Sequence, residues 1–161
     1  MTARAAGRRL ATAIDRLAWL FAVAAGGVLA SVAAVTVVSI VGRTAFGVPV
    51  PGDFELVEIG CAVAVFAALP YCHLRRGNVA VELFLRRAQS PARRVVDAVN
   101  GATYAAIAAG LAWRMALGGA ELRAWGETSM ILGVPLWWGF VPIVASLGLL
   151  AAVAARRVLA P

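Results

Sequence analysis

The sequence predicts an all-α integral membrane protein: four transmembrane helices, both termini cytoplasmic, and a short amphipathic interfacial helix between helices 2 and 3. Three observations predict it. Hydrophobic residues make up 62% of the 161 and the mean hydropathy is +0.86, against roughly 45–50% apolar residues in soluble domains. The apolar residues fall into runs long enough to cross a hydrocarbon core of about 30 Å. Finally, the segment 74–94, LRRGNVAVELFLRRAQSPARR, carries Arg75, Arg76, Arg86, Arg87, Arg93 and Arg94 and divides the chain into two halves. Each half is a pair of apolar runs joined by a short, weakly charged loop. Arginine beside transmembrane ends is retained in the cytoplasm, so the central block should be a cytoplasmic loop.

The formal charge is +7, and all fifteen basic residues are arginine. They flank the apolar runs instead of forming one face, which argues against nucleic acid as a partner. One membrane domain spanning 1–161 is the expected organisation.

The N-terminal stretch holds Arg4, Arg8, Arg9 and Arg16 against Asp15. The apolar run that follows, 17–41, contains no charge and exceeds a signal-peptide core of roughly 7–15 residues, so it reads as an uncleaved first transmembrane helix. Ala22, Gly26, Ala30 and Ala34 recur every four residues. That spacing admits close approach of a neighbouring helix, and the abundance of alanine alone would also produce it.

The next segment, GRTAFGVPVPGD, is a turn by its Pro and Gly content. Helix 2 is expected over about 54–72, with Asp53 as N-cap and Glu55 in the first turn, where the helix dipole favours an anion. Glu58 lies one turn deeper. An acid there costs on the order of 2.5–3.5 kcal/mol at mid-bilayer and less near the interface, so Glu58 should have a partner, and Arg43 is the nearest candidate in sequence. Cys61 and Cys72 sit too far apart along one helix for a disulfide. The single His73 beside Cys72 is a poor metal site.

Within the central loop, Val79, Val81, Leu83, Phe84 and Leu85 between Glu82 and Arg86-Arg87 fit a short interfacial amphipathic helix. Ser90-Pro91 then reads as N-cap and first residue of helix 3, expected over about 91–117. Its length, roughly 40 Å, requires tilt or projection from the core. Asp97, Asn100 and Tyr104 form a polar stripe near its start, read as a packing seam. A second loop follows from Gly118 to Val134. Pro135 should open helix 4, expected over about 135–155, with Trp137 and Trp138 in an interfacial aromatic belt and a kink at Pro142. On this topology twelve arginines fall on the inner side and three, Arg43, Arg114 and Arg123, on the outer.

Three segments carry a resemblance: GRTAFGVPVPGDFELVEIG between helices 1 and 2, RRGNVAVELF in the central loop, and TSMILGVPLWWGF opening helix 4. In this order they resemble the small membrane subunit of tripartite ATP-independent periplasmic (TRAP) transporters, over nearly the whole chain. Asn78 departs from the pattern, since a histidine often stands there in the family. The resemblance implies a small permease subunit of the bacterial inner membrane. It would scaffold a large sodium-coupled permease subunit as a heterodimer and help dock a periplasmic substrate-binding protein during solute uptake, the solute being an organic acid. It implies no cofactor and no enzymatic activity.

The residues fit a passive role. No inverted repeat or Gly/Pro-broken helix pair marks a central site, and no catalytic, substrate-binding or metal-ligating constellation stands out. The structural and interface candidates are Arg43, Glu55, Glu58, Asp97, Pro135, Trp137 and Trp138. A self-contained small four-helix exporter would need an acid within its first helix, and that span has none. An orphan membrane scaffold or assembly factor is the other alternative.

Overall fold

A computed structural model describes residues 2–75 and 90–159. Four helices make up nearly all of it: α1 (Thr2–Phe46), α2 (Asp53–Leu74), α3 (Ser90–Trp125) and α4 (Trp137–Leu159). Among the described residues there is no strand, only an isolated antiparallel bridge between Thr128 and Pro135. The expected amphipathic helix around Val79–Arg87 lies outside the described residues.

The helices form two hairpins. α1 packs on α2, α3 packs on α4, and α2 joins the hairpins by packing on α4. The α1–α2 seam buries Ala25, Ala64 and Ala67, with Phe21, Val28 and Ala68 around them. The second seam buries Ala108 of α3 among Ile143, Leu147 and Leu150 of α4, and Val63 and Phe66 of α2 close over it. Alanine-rich seams suit helices in lipid, where close backbone approach and dispersion replace the hydrophobic effect as the driving force.

Gly60 shows how close that approach is. A Cβ there would collide with Cγ2 of Val32 on α1, and a β-branched side chain has little freedom to swing aside. The small-residue repeat does something else. Gly26, Ala30 and Ala34 are all exposed, and Gly26 has nothing within reach of a Cβ. Ala22 is half-buried, but the other three members of the stripe therefore do not mediate packing within this chain.

Helix ends differ from the expected ones in an instructive way. α1 starts at Thr2, not 17, and continues to Phe46, a length of 45 residues or about 67 Å. No proline occurs before Pro49, so the helix has no reason to stop where the apolar run does. α3 runs through Gly118-Gly119 to Trp125, well past the expected end at 117. These glycines lie against Phe140 of α4, so they serve close packing instead of a turn. α4 begins at Trp137 and extends to Leu159. Pro142 lies inside it as expected, and Pro70 lies inside α2, fully buried.

Among the described residues, three helical segments are long and apolar enough to cross a membrane: Ala11–Phe46, Asp53–Leu74 and Trp137–Arg156. α3 falls short because Asn100, Thr103, Tyr104 and Arg114 interrupt an alanine-rich sequence. It nevertheless runs antiparallel along α4, from Gly119 beside Phe140 to Ala108 beside Leu147.

Candidate functional site

The polar contacts between elements concentrate at the end of the bundle where the two hairpin loops meet. Ser39, 1% exposed in the last turns of α1, donates its hydroxyl to Oδ2 of Asp53 and accepts the N–H of Val50 at 3.2 Å. One side chain thus fixes the α1–α2 loop and sets the register of the two helices. Asp53 is not the N-cap: Gly52 occupies that position at φ 75°, with no side-chain cap. Asp53 is the first helical residue, its Oδ1 taking the N–H of Phe54 at 2.9 Å. Gly52 is required twice over, by its left-handed backbone and because a Cβ would run into the side chain of Leu132.

Leu132 belongs to the second loop, and Glu55 is what holds that loop down. Its two carboxylate oxygens accept the backbone N–H groups of Ile131 at 2.8 Å and Leu132 at 3.0 Å. A carboxylate spanning two successive amides gives two charge-assisted hydrogen bonds at once. Glu55 is therefore a tether between the hairpins, a role beyond favourable placement at a helix start. The loop is also braced internally. The N–H of Ser129 donates to the Val134 carbonyl at 2.9 Å, the N–H of Val134 to the Ser129 hydroxyl at 3.1 Å, and the N–H of Leu136 to the Glu127 carbonyl at 3.2 Å. The result is a hydrogen-bonded finger whose tip, Met130, is 99% exposed, with Ile131 beside it at 64%.

Pro135 sits at the base of this finger, paired with Thr128, two residues before α4 begins. Its carbonyl accepts the N–H of Trp138 at 3.1 Å, so it leads into the helix without being its first residue. Trp137 lies under the Arg123 guanidinium, 5.0 Å from ring centroid to Cζ, and edge-on to Trp138. Trp138 is exposed.

The structure does not bring Arg43 and Glu58 together. Both are exposed, and the described residues give neither an ion pair. The register explains it. The Ser39–Asp53 bond puts those two residues at one level of antiparallel helices. Arg43 lies four residues beyond Ser39 and Glu58 five beyond Asp53, in opposite directions, so about 13 Å of helix separates them along the axis. Asp97 falls within α3, but its side chain lies outside the described residues. Of its expected stripe, Tyr104 packs against His73 of α2, the rings tilted by 38° with centroids 5.0 Å apart.

At the opposite end, Arg156 of α4 reaches Asp15 of α1 at 2.8 Å and the Ala11 carbonyl at 3.0 Å. The N-terminal part of α1 and the C-terminal part of α4 therefore lie at the same end of the bundle. Among the described residues no three His, Cys, Asp or Glu side chains come together in a metal-binding group.

What this geometry defines is a helical membrane protein whose polar side chains brace loops instead of lining a reaction centre. The family model for tripartite ATP-independent periplasmic transporters, DctQ component, matches residues 32–161. The chain belongs to this family, the small permease component of TRAP transporters. No curated protein and no solved structure matches it.

Proposed function

We propose that this chain crosses the bacterial inner membrane four times, with both termini cytoplasmic. We propose further that it scaffolds the large sodium-coupled permease subunit and helps to dock the periplasmic substrate-binding protein during uptake of an organic acid. The family match over residues 32–161 carries this reading. Family membership favours it over an orphan scaffold and over a self-contained exporter. The antiparallel course of α3 along α4 supports a fourth crossing, because a helix packed over that length shares its partner's depth. The meeting of Arg156 with Asp15 supports termini on one side, and the arginine bias supports that side being the cytoplasm. The tethered finger 126–136 then faces the periplasm, where a binding protein arrives.

The test is co-expression of the tagged chain with the large permease subunit of the same transporter, followed by affinity purification in mild detergent. A stoichiometric complex stable through size exclusion is expected. Recovery of this chain alone under conditions that preserve other membrane heteromers would contradict the proposal.

A further inference from the structure

α2 packs on α1 within its own hairpin and on α4 of the other, and two of its faces are filled. Ala64 and Ala67 are buried toward α1, and Val63 and Phe66 pack toward α3 and α4. The third face is open along its length: Phe54, Glu58, Ala62, Val65 and Leu69 are all exposed and follow one another at helical spacing. Four of the five are apolar. The fifth is a carboxylate with no ion pair among the described residues, and the register places it about 13 Å along the axis from Arg43, the cation the sequence offered.

An acid facing hydrocarbon is unfavourable, and acids within transmembrane segments almost always face protein or water and pair. Unlike arginine, glutamate lacks the long stem that lets a charge rise to the interface. An exposed acid at this depth of an apolar face calls for a protein partner. A second copy of this chain does not suit it. Copies inserted in the same orientation are related by an axis along the membrane normal, so their residues meet at equal depth. The charged group this stripe would then meet is another Glu58.

We infer that the α2 stripe Phe54–Leu69 is the surface that receives the large permease subunit, and that Glu58 pairs there with a basic side chain of that subunit. This rests on the proposed function and adds to it which face is used and what chemistry the partner presents. The apolar members supply shape, and the desolvated charge pair fixes register and depth.

The test uses the co-expressed, full-length complex. A photo-crosslinking residue is placed at Ala62 or Val65 on the stripe, and at Ala106 on the exposed surface of α3 as a control. Glu58→Gln and Glu58→Leu are compared with wild type for large-subunit recovery, with insertion and helicity of each variant checked first. Expected are crosslinks to the large subunit from Ala62 and Val65 but not from Ala106, and at least about a tenfold loss of recovered large subunit in both Glu58 variants. Glu58→Asp should recover part of it. If wild type forms the complex but the stripe crosslinks to lipid or to a second copy, the assignment of the face is overturned while the proposed function stands. If the stripe crosslinks to the large subunit and both Glu58 variants bind as wild type, the charge pairing is overturned. Failure of wild type to form the complex overturns both readings together.

Discussion

Arg156 meets Asp15 at 2.8 Å, joining the last turns of α4 to the first third of α1. The pair is partly exposed, with side chains at 31% and 43%, so its energetic worth is small, about 0.2–1 kcal/mol. Arg156→Gln should lower the unfolding midpoint in detergent only slightly, and adding Asp15→Asn should cost little more. The pair matters as a marker of topology. With Cys61 and Cys72 replaced by serine, Met130→Cys should react with a membrane-impermeant thiol reagent on intact spheroplasts. A cysteine appended after Pro161 should react only once the membrane is opened. The reverse pattern at either site would rule out cytoplasmic termini.

Ser39 connects two groups, the Asp53 carboxylate and the Val50 N–H, with one hydroxyl, and it is almost fully buried. Ser39→Ala would leave an oxygen of Asp53 and the N–H of Val50 without their partner, a loss of about 1–3 kcal/mol. Ser39→Thr keeps the hydroxyl and should retain much of the stability. Equal melting of Ser39→Ala and wild type would show that the loop does not depend on this contact.

Glu55 holds the second loop by two backbone amides. Glu55→Gln places an amide NH2 against one of those N–H groups, so at least one hydrogen bond is lost and its donor is repelled. The Ile131 and Leu132 amides should then exchange hydrogen severalfold faster, while exchange in the α1–α2 seam stays unchanged. Unaltered protection at both amides would mean that the internal bonds of the finger suffice without the tether.

Gly60 and Gly26 form a matched pair. Gly60→Ala must push α1 and α2 apart against the stiff Val32 side chain, an overpacking cost of about 1–3 kcal/mol. Gly26→Ala meets open space and replaces a poor helix former with a good one. The first should lower Tm in detergent and the second should leave it unchanged or raise it. The opposite order would place the close contact of α1 on its other face.

The positions of the four helices were legible because membrane-length apolar runs and flanking arginines are local signals. Their ends were not. Apolarity ends where the chain leaves hydrocarbon, whereas a helix ends where a breaker intervenes, so α1 keeps its basic N-terminal turns and α3 passes through Gly118-Gly119. Of the candidate residues, Glu55 was found by its place at a helix start, but its bond to Ile131, 76 residues away, has no local signature. Ser39 looked like any small polar residue in an apolar run. The expected Arg43–Glu58 pair failed because sequence proximity across a turn says nothing of axial register, which the Ser39–Asp53 bond sets.

Solute uptake tests the central claim most directly. Proteoliposomes are prepared with this chain alone, with the large permease subunit alone, and with both, each supplied with the substrate-binding protein and a sodium gradient. Sodium-driven uptake is predicted only when both membrane subunits are present. Uptake by this chain alone, or full-rate uptake by the large subunit without it, would contradict the proposal that it scaffolds a two-subunit permease.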